Sequence, residues 1–463
     1  MYFVIFAALA GCGSIGPCGS IGRSGPVGAS PGPQVPWDGS CLAAVDLPCA
    51  SGSASLVGQV DLDLALLVDM AFENSPETRR LWHGARAAAA RSGTALSPLF
   101  PQIVAGGAVA REWQEGNGSH GRSTVGAVPS LSLTWRLFSF GSDLASARAA
   151  RCNLQAANLI HGRSLQTLLF RVQSAYFSLN AAEATVEARA AALREAEELL
   201  ALAESRFQAG LENRQNYLQA RAAMLQARHG WEESRALVEQ RRAALAEVVG
   251  VRVSSQFRIR RSQLPEGAAV EEDVEAIVAR ALRCRPDLLS LQAQLDAVRA
   301  GERAARGASL PRLVASVSAD RLRTGGGGTE RDAVASLGLS WDLFTGFERT
   351  ARRMERREEA AMALESLRGA ELRAVGEIWS AYQDHRAALR QLESARGLLA
   401  AADEAFHACE IAYRAGLCSF HELLAVQNRF AGAREGLVAA ECRFSLSLAA
   451  LAHAGGDLHC VGH

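Results

Sequence analysis

The sequence predicts a mainly α-helical chain with membrane β-strands, built as two copies of one unit. Three observations carry this expectation. An apolar residue recurs every seventh position along a proline-free stretch, about 142–209. Such a sustained period makes a helix that supercoils against its neighbours. Matching motifs recur at a near-constant offset, with Pro76 answered by Pro286 and Trp135 by Trp341. A fixed offset marks an internal repeat. Between the helices lie short segments in which apolar and polar residues alternate, as in a strand with two different faces.

The chain of 463 residues is long enough for two or three domains. Its 49 basic and 49 acidic residues cancel, so no global field attracts nucleic acid. Every basic residue is Arg. A phosphate-binding P-loop needs its lysine, so nucleotide hydrolysis by that route is excluded.

Residues 3–10 form an apolar run, too short to span a bilayer but suited to a signal-peptide core. Leu9-Ala10-Gly11-Cys12 closes it and resembles a bacterial lipoprotein signal, with Cys12 the acylated N-terminus. Acyl chains there would anchor the chain, at about 0.8 kcal/mol per buried CH₂. The run departs from that pattern in having no Arg ahead of it. Residues 1–12 are therefore read as a leader, and 13–58, rich in Gly, Ser and Pro, as an extended tether. The Gly11-x-Gly13-x-x-Gly16 and Gly28-x-Ser30-x-Gly32 patterns have no strand-to-helix context and carry no site. Ten cysteines are scattered without a disulfide framework, although Cys41 and Cys49 could pair.

Repeat one occupies 59–264 and repeat two 265–455, followed by a tail at 456–463. Each begins with a short amphipathic segment, about 62–74 and 271–284. Each continues into a helix opened by Pro76 or Pro286, where a missing N–H is harmless. That helix stops before Pro101 or Pro311. After a β-hairpin comes the long helix, carrying Leu165, Val172, Leu179, Val186, Leu193, Leu200 and Phe207 at sevens. Its length would be roughly 100 Å. Gly210 and Gly416 end the long helices, as expected of C-terminal caps. A last helix carries Tyr217, Met224, Trp231, Val238 and Leu245, answered by Leu423, Phe430, Leu437, Phe444 and Leu451. The first and last helices of a copy, laid end to end, nearly match the long one at about 90 Å. Arg214, Arg221, Arg228, Arg235 and Arg242 also recur at sevens, as either the charged shoulder of a helical seam or a pore-lining basic stripe.

In the hairpins, Leu131, Leu133, Trp135 and Leu137 alternate with Ser130, Ser132, Thr134 and Arg136. Leu337, Leu339, Trp341 and Leu343 do the same in copy two, as do Leu313, Ala315, Val317 and Ala319. The polar, Gly-rich stretches 115–123 and 323–331 are expected to be hairpin tips. The alternation suits an outer-membrane barrel with an apolar outside and a polar lumen. Four strands cannot close, since the smallest such barrels have about eight. Two or three chains together would give eight or twelve.

With these features in place, the sequence resembles the TolC-like outer-membrane efflux proteins, in their lipoprotein branch. The resemblance spans about 62–455. It rests on the tandem repeat, the paired prolines, Trp135-x-Leu137-Phe138 with Trp341-x-Leu343-Phe344, and Phe207-x-Ala209-Gly210-Leu211 with Tyr413-x-Ala415-Gly416-Leu417. It implies a homotrimer forming a twelve-stranded β-barrel continued by a long α-helical periplasmic barrel. It implies a passive exit duct in the bacterial outer membrane, lipid-anchored at Cys12 and needing no other cofactor. A periplasmic adaptor and an inner-membrane pump would be its partners, and small molecules such as drugs or metals its cargo. No enzyme activity is implied.

The family narrows its tunnel near the Gly-containing helix turns, with acidic side chains and a tyrosine-centred network. Carried onto this chain, the candidate aperture residues are Glu422, Asn216, Tyr413, Phe207 and Cys418, beside the helix-turn glycines Gly210 and Gly416. The chain departs from the family at Asn216, Phe207, Cys418 and Ala425. Glu422 is either part of a cation-selecting ring or a solvated residue favoured at a helix start. His407, Cys409, Cys418 and His421 gather at the same turn as soft-metal donor types, but no metal site is assigned. The alternative to a channel is a lipid-tethered periplasmic coiled-coil scaffold without transport activity, which the alternating strands argue against.

Overall fold

The computed structural model describes residues 34, 61–114, 122–251, 258–260, 273–324 and 329–456. The leader with Cys12, nearly all of the tether, the Cys41–Cys49 pairing, the first hairpin tip and the tail after Gly456 lie outside the described residues. The repeat is plain in the helices. Copy one runs α1 (Leu64–Asn74), α2 (Pro76–Leu96), β2 (Gln102–Gln114), β3 (Arg122–Phe138), α3 (Ser142–Gln208) and α4 (Arg214–Val249). Copy two runs α5 (Val274–Cys284), α6 (Pro286–Gly307), β5 (Arg312–Thr324), β6 (Thr329–Ser340), α7 (Glu348–Arg414) and α8 (Phe420–Gly455). The long helices α3 and α7 each have 67 residues, and α4 and α8 each have 36. Two short strands, β1 (Asp61–Leu62) and β4 (Arg258–Ile259), pair in parallel beside α1.

Local chemistry sets the helix ends. Pro76 and Pro286 stand in the first turn of α2 and α6. The Ser75 hydroxyl accepts from Thr78 N at 3.4 Å and caps α2. Gly250 and Gly456, at φ 77° and 80°, stop α4 and α8 in the left-handed region. Helix α3 packs on α2 and α4 on one side and on α6 and α8 on the other, while α7 packs on α6 and α8. The order is four columns: α2/α4, α3, α6/α8, α7. Ion pairs cross the middle: Arg189 Nε lies 3.1 Å from Glu435 and Arg434 3.0 Å from Glu195.

The seven-residue seam of α3 is buried at Leu165, Val172 and Leu179, and of these Val172 and Leu179, with Tyr176 beside them, pack against Leu67, Ala71 and Leu245. Farther down it drifts: Val186, Leu193 and Leu200 are half-buried, and Phe207 is 38% exposed. Leu199 and Ala203 take over the contact there. A helix of 3.6 residues per turn rotates about 20° per heptad against a strict repeat, and α3 changes neighbours along its length. Of the Arg row, Arg214, Arg221, Arg228 and Arg235 are exposed, whereas Arg242 pairs with Glu183 at 3.5 Å and Glu239 at 2.7 Å.

The four long strands form one antiparallel sheet in the order β2-β3-β5-β6. Its register sorts residues by polarity. Ile103 and Ala105 stand opposite Leu133 and Leu131, which face Val317 and Ala319; Trp135 faces Ala315, which faces Leu337. Directly opposed residues share a face, so this face is apolar from Leu313 and Leu339 to Ala319 and Ala333 and turns basic toward the tip, where Arg321 opposes Arg331. The other carries Ser130, Ser132, Thr134, Ser316, Ser318, Asp320, Asp332 and Ser336, interrupted by Val104, Val314 and Val334. No core covers the apolar face: Leu131, Leu337 and Leu339 are 52%, 66% and 71% exposed. Within the described chain β2 and β6 each have one neighbour, so both sheet edges are open.

Two expectations about the hairpins are corrected. The tips are shorter than the polar composition suggested: β3 begins at Arg122, β5 runs to Thr324 and β6 begins at Thr329, with Arg323 paired to Thr329. A ladder continues while backbone partners remain, whatever the side chains. The fourth strand also ends at Ser340, leaving Trp341, Leu343 and Phe344 outside it. Its neighbour β5 starts at Arg312, paired with Ser340, after a proline that has no N–H to donate. Residues beyond Ser340 therefore have no ladder partner among the described residues. Trp341 still answers Trp135, since their ring N–H groups donate to Ser309 O at 3.3 Å and Leu99 O at 3.0 Å.

Candidate functional site

The end of the bundle away from the sheet consists of two helix turns, α3–α4 and α7–α8. They share one backbone solution. Gly210 N donates to Phe207 O at 3.0 Å and Leu211 N to Arg206 O at 2.9 Å. Gly416 N donates to Tyr413 O at 3.0 Å and Leu417 N to Ala412 O at 2.8 Å. This paired pattern needs a left-handed residue, which the two glycines supply at φ 71° and 76°. The next helix is then capped, by Asn213 Oδ1 accepting from Asn216 N at 2.8 Å, or by Ser419 Oγ accepting from Glu422 N at 3.3 Å.

The side chains differ between the copies. At the α3–α4 turn the centre is Glu212. Its Oε2 accepts from Tyr413 OH at 2.8 Å and lies 3.4 Å from Arg206 Nε, while its Oε1 accepts from Asn216 Nδ2. The Arg206 guanidinium also lies 4.9 Å from the centre of the Tyr413 ring. Tyr413 is buried, and its hydroxyl crosses from copy two to copy one. Burial first, then the Glu212 carboxylate, push its pKa up to about 12. Phe207, its counterpart, has no hydroxyl and stacks on Tyr217 with ring centres 5.7 Å apart.

At the α7–α8 turn the acid is Glu422. Its Oε2 accepts from Ser419 N at 2.9 Å, completing a capping box, and from the Cys418 thiol at 3.4 Å. These donors, the Ser419 backbone first, hold its carboxyl below the usual range, so Glu422 is an exposed anion at neutral pH. The Cys418 sulfur lies 2.9 Å from that of Cys409.

The structure thus divides the sequence candidates. Tyr413 and Asn216 meet on Glu212, Cys418 and Glu422 meet each other, and Phe207 joins neither group. Glu212 and Arg206 were not among the candidates. A signal was present: position 212 answers 418 and 216 answers 422, so copy one carries its acid one helical turn earlier than copy two. His407 turns instead to Asp403 at 3.6 Å. Among the described residues no three His, Cys, Asp or Glu side chains converge as a metal site.

Comparison with known proteins gives a consistent picture. The sequence matches the outer membrane efflux protein family over 67–251 and 277–457, one match per repeat. Protein CyaE of Bordetella pertussis is 30% identical over 429 residues, covering 90% of this chain and 89% of that protein. The outer membrane protein VceC of Vibrio cholerae has the same fold, with a TM-score of 0.75 at 18% identity over 85% of this chain and 96% of VceC. The open-state MtrE outer membrane channel of Neisseria gonorrhoeae gives a TM-score of 0.72 at 19% identity, over 85% of this chain and 89% of MtrE.

Proposed function

The chain belongs to the outer membrane efflux protein family, and from that premise we propose that it is the passive exit duct of a tripartite export system. It acts as a homotrimer. Three four-stranded sheets close into a twelve-stranded barrel in the outer membrane, and the helices continue it as a tunnel through the periplasm. Cys12, acylated, anchors the chain to the membrane. A periplasmic adaptor and an inner-membrane pump complete the system, and the pump supplies the energy and chooses among small-molecule cargoes such as drugs or metals. The duct moves its cargo without chemical change.

The observation that carries this reading is the uncovered apolar face on a sheet with two open edges. In water that face would be an aggregation site. In lipid it is satisfied, but the edges are not, since each unpaired backbone group there costs several kcal/mol. The strand order alternates in direction, so β6 of one copy meets β2 of the next antiparallel. A ring of copies therefore closes with every edge paired, while the polar face lines the lumen.

At the inner end each copy contributes one exposed Glu422, and a ring of such carboxylates favours cations and opposes anions. Purified full-length protein in a planar bilayer is expected to give steady conductance that prefers cations. Glu422→Gln, which retains the helix cap, should weaken the preference or the block by divalent cations. A folded preparation that never conducts would remove the duct reading, and an unchanged Glu422→Gln channel would take Glu422 out of the pore.

A further inference from the structure

We propose that Cys409 and Cys418 form a reversible disulfide that staples the α7–α8 tip. The inference rests on the duct reading in one respect, which places this tip in the oxidising space outside the cytoplasm. Their sulfurs lie 2.9 Å apart, closer than the ~3.5–4.0 Å of ordinary non-bonded contact. Two thiolates on a tetrahedral zinc ion, each ~2.3 Å from the metal, would stand ~3.8 Å apart, so the spacing fits bond formation rather than a shared metal. Closing to the ~2.05 Å of a disulfide asks for about 0.9 Å of further approach.

The position gives the bond a consequence. Cys409 lies four residues before Tyr413, on the same face of α7, and Cys418 directly precedes the cap Ser419. A link between them spans the glycine turn and ties the end of α7 to the start of α8. Copy one has no equivalent, for the matching positions are Ala203 and Glu212. Its turn is held by the charged and hydrogen-bonded contacts of Glu212 instead. Oxidation would also take the Cys418 thiol away from Glu422, leaving that carboxylate to Ser419 alone.

The step balances by thiol–disulfide exchange with an oxidised dithiol protein. One thiolate attacks the oxidant's disulfide and forms a mixed disulfide. The second thiolate then displaces the oxidant, which leaves as its dithiol carrying both electrons and the two protons that the cysteines gave up. The hydrogen bond shared with Cys409, then burial and Glu422, push the Cys418 pKa up to about 12, and the exchange proceeds whichever of the two sulfurs attacks first.

The missing lysines make the test clean, because trypsin can cut only after Arg. Cleavage at Arg396, Arg414 and Arg429 puts Cys409 on peptide 397–414 and Cys418 on peptide 415–429. Full-length protein from outer membranes, blocked with N-ethylmaleimide and digested without reductant, should yield the two peptides joined. The joined species should vanish with dithiothreitol and in both Cys409→Ser and Cys418→Ser. Folded protein whose two peptides both carry the maleimide label, even after diamide treatment, would overturn the proposal. Bilayer conductance of the same preparations separates the outcomes. A conducting protein without the link overturns the pairing alone, and a linked protein that never conducts overturns the duct alone.

Discussion

Tyr413 is the side chain through which the two copies hold each other at the tip. Its hydroxyl donates to an anion, and such bonds contribute ~1.5–3 kcal/mol. Tyr413→Phe keeps the buried ring and removes that bond. Hydrogen exchange should speed up at both tip turns, while the sheet and the middle of the bundle stay unchanged. Adding Glu212→Gln should cost less in that background than alone, since the two residues share one interaction. Additive effects would show that they do not. Tyr413 was readable from the sequence because its motif is duplicated, with Phe207 as its answer. Glu212 was not, because a repeat matches like with like and the acid has moved by a turn. The link between Tyr413 and Glu212 joins residues 201 positions apart, and no local pattern reports a contact of that range.

The glycine turns and the ends of the last helices set the behaviour of the elements. An L-residue in the left-handed region costs about 1–2 kcal/mol. Gly416→Ala should therefore loosen the α7–α8 turn by that amount, seen as a lower denaturant midpoint or faster exchange at 409–423, although nothing would clash with the new Cβ. No change would mean that the turn already rearranges freely. At the other end of α8, His453 stacks on Phe170 with ring centres 4.9 Å apart. Burial, helped by the Arg163 guanidinium, lowers its pKa from 6.5 to about 4. The native state therefore favours neutral imidazole. The stability it contributes is complete above pH 6.5 and is lost as pH falls toward 4. Melting temperature should drop across that window, and less steeply in His453→Gln; equal slopes would exclude His453 as the cause. Helices were the most legible elements, because Pro76, Pro286, Gly210 and Gly416 punctuate them by mechanisms local to the chain. Strand ends were not, because β6 stops where β5 runs out, which is a property of a partner.

For the whole molecule, the sequence told that four strands per chain are too few, and the structure adds how they are left: one sheet, apolar on one face and open at both edges. The seam of α3 was legible only in its upper half, where one set of neighbours lasts long enough to keep a seven-residue rhythm. What the chain forms with its copies follows from edges and faces rather than from any motif. The number of chains in the particle is therefore the most direct test. Native mass spectrometry of the full-length protein, extracted from membranes in detergent, should give a single species of three chains. A well-folded, monodisperse single chain would contradict the account, because its sheet would then stand in lipid with two unpaired edges.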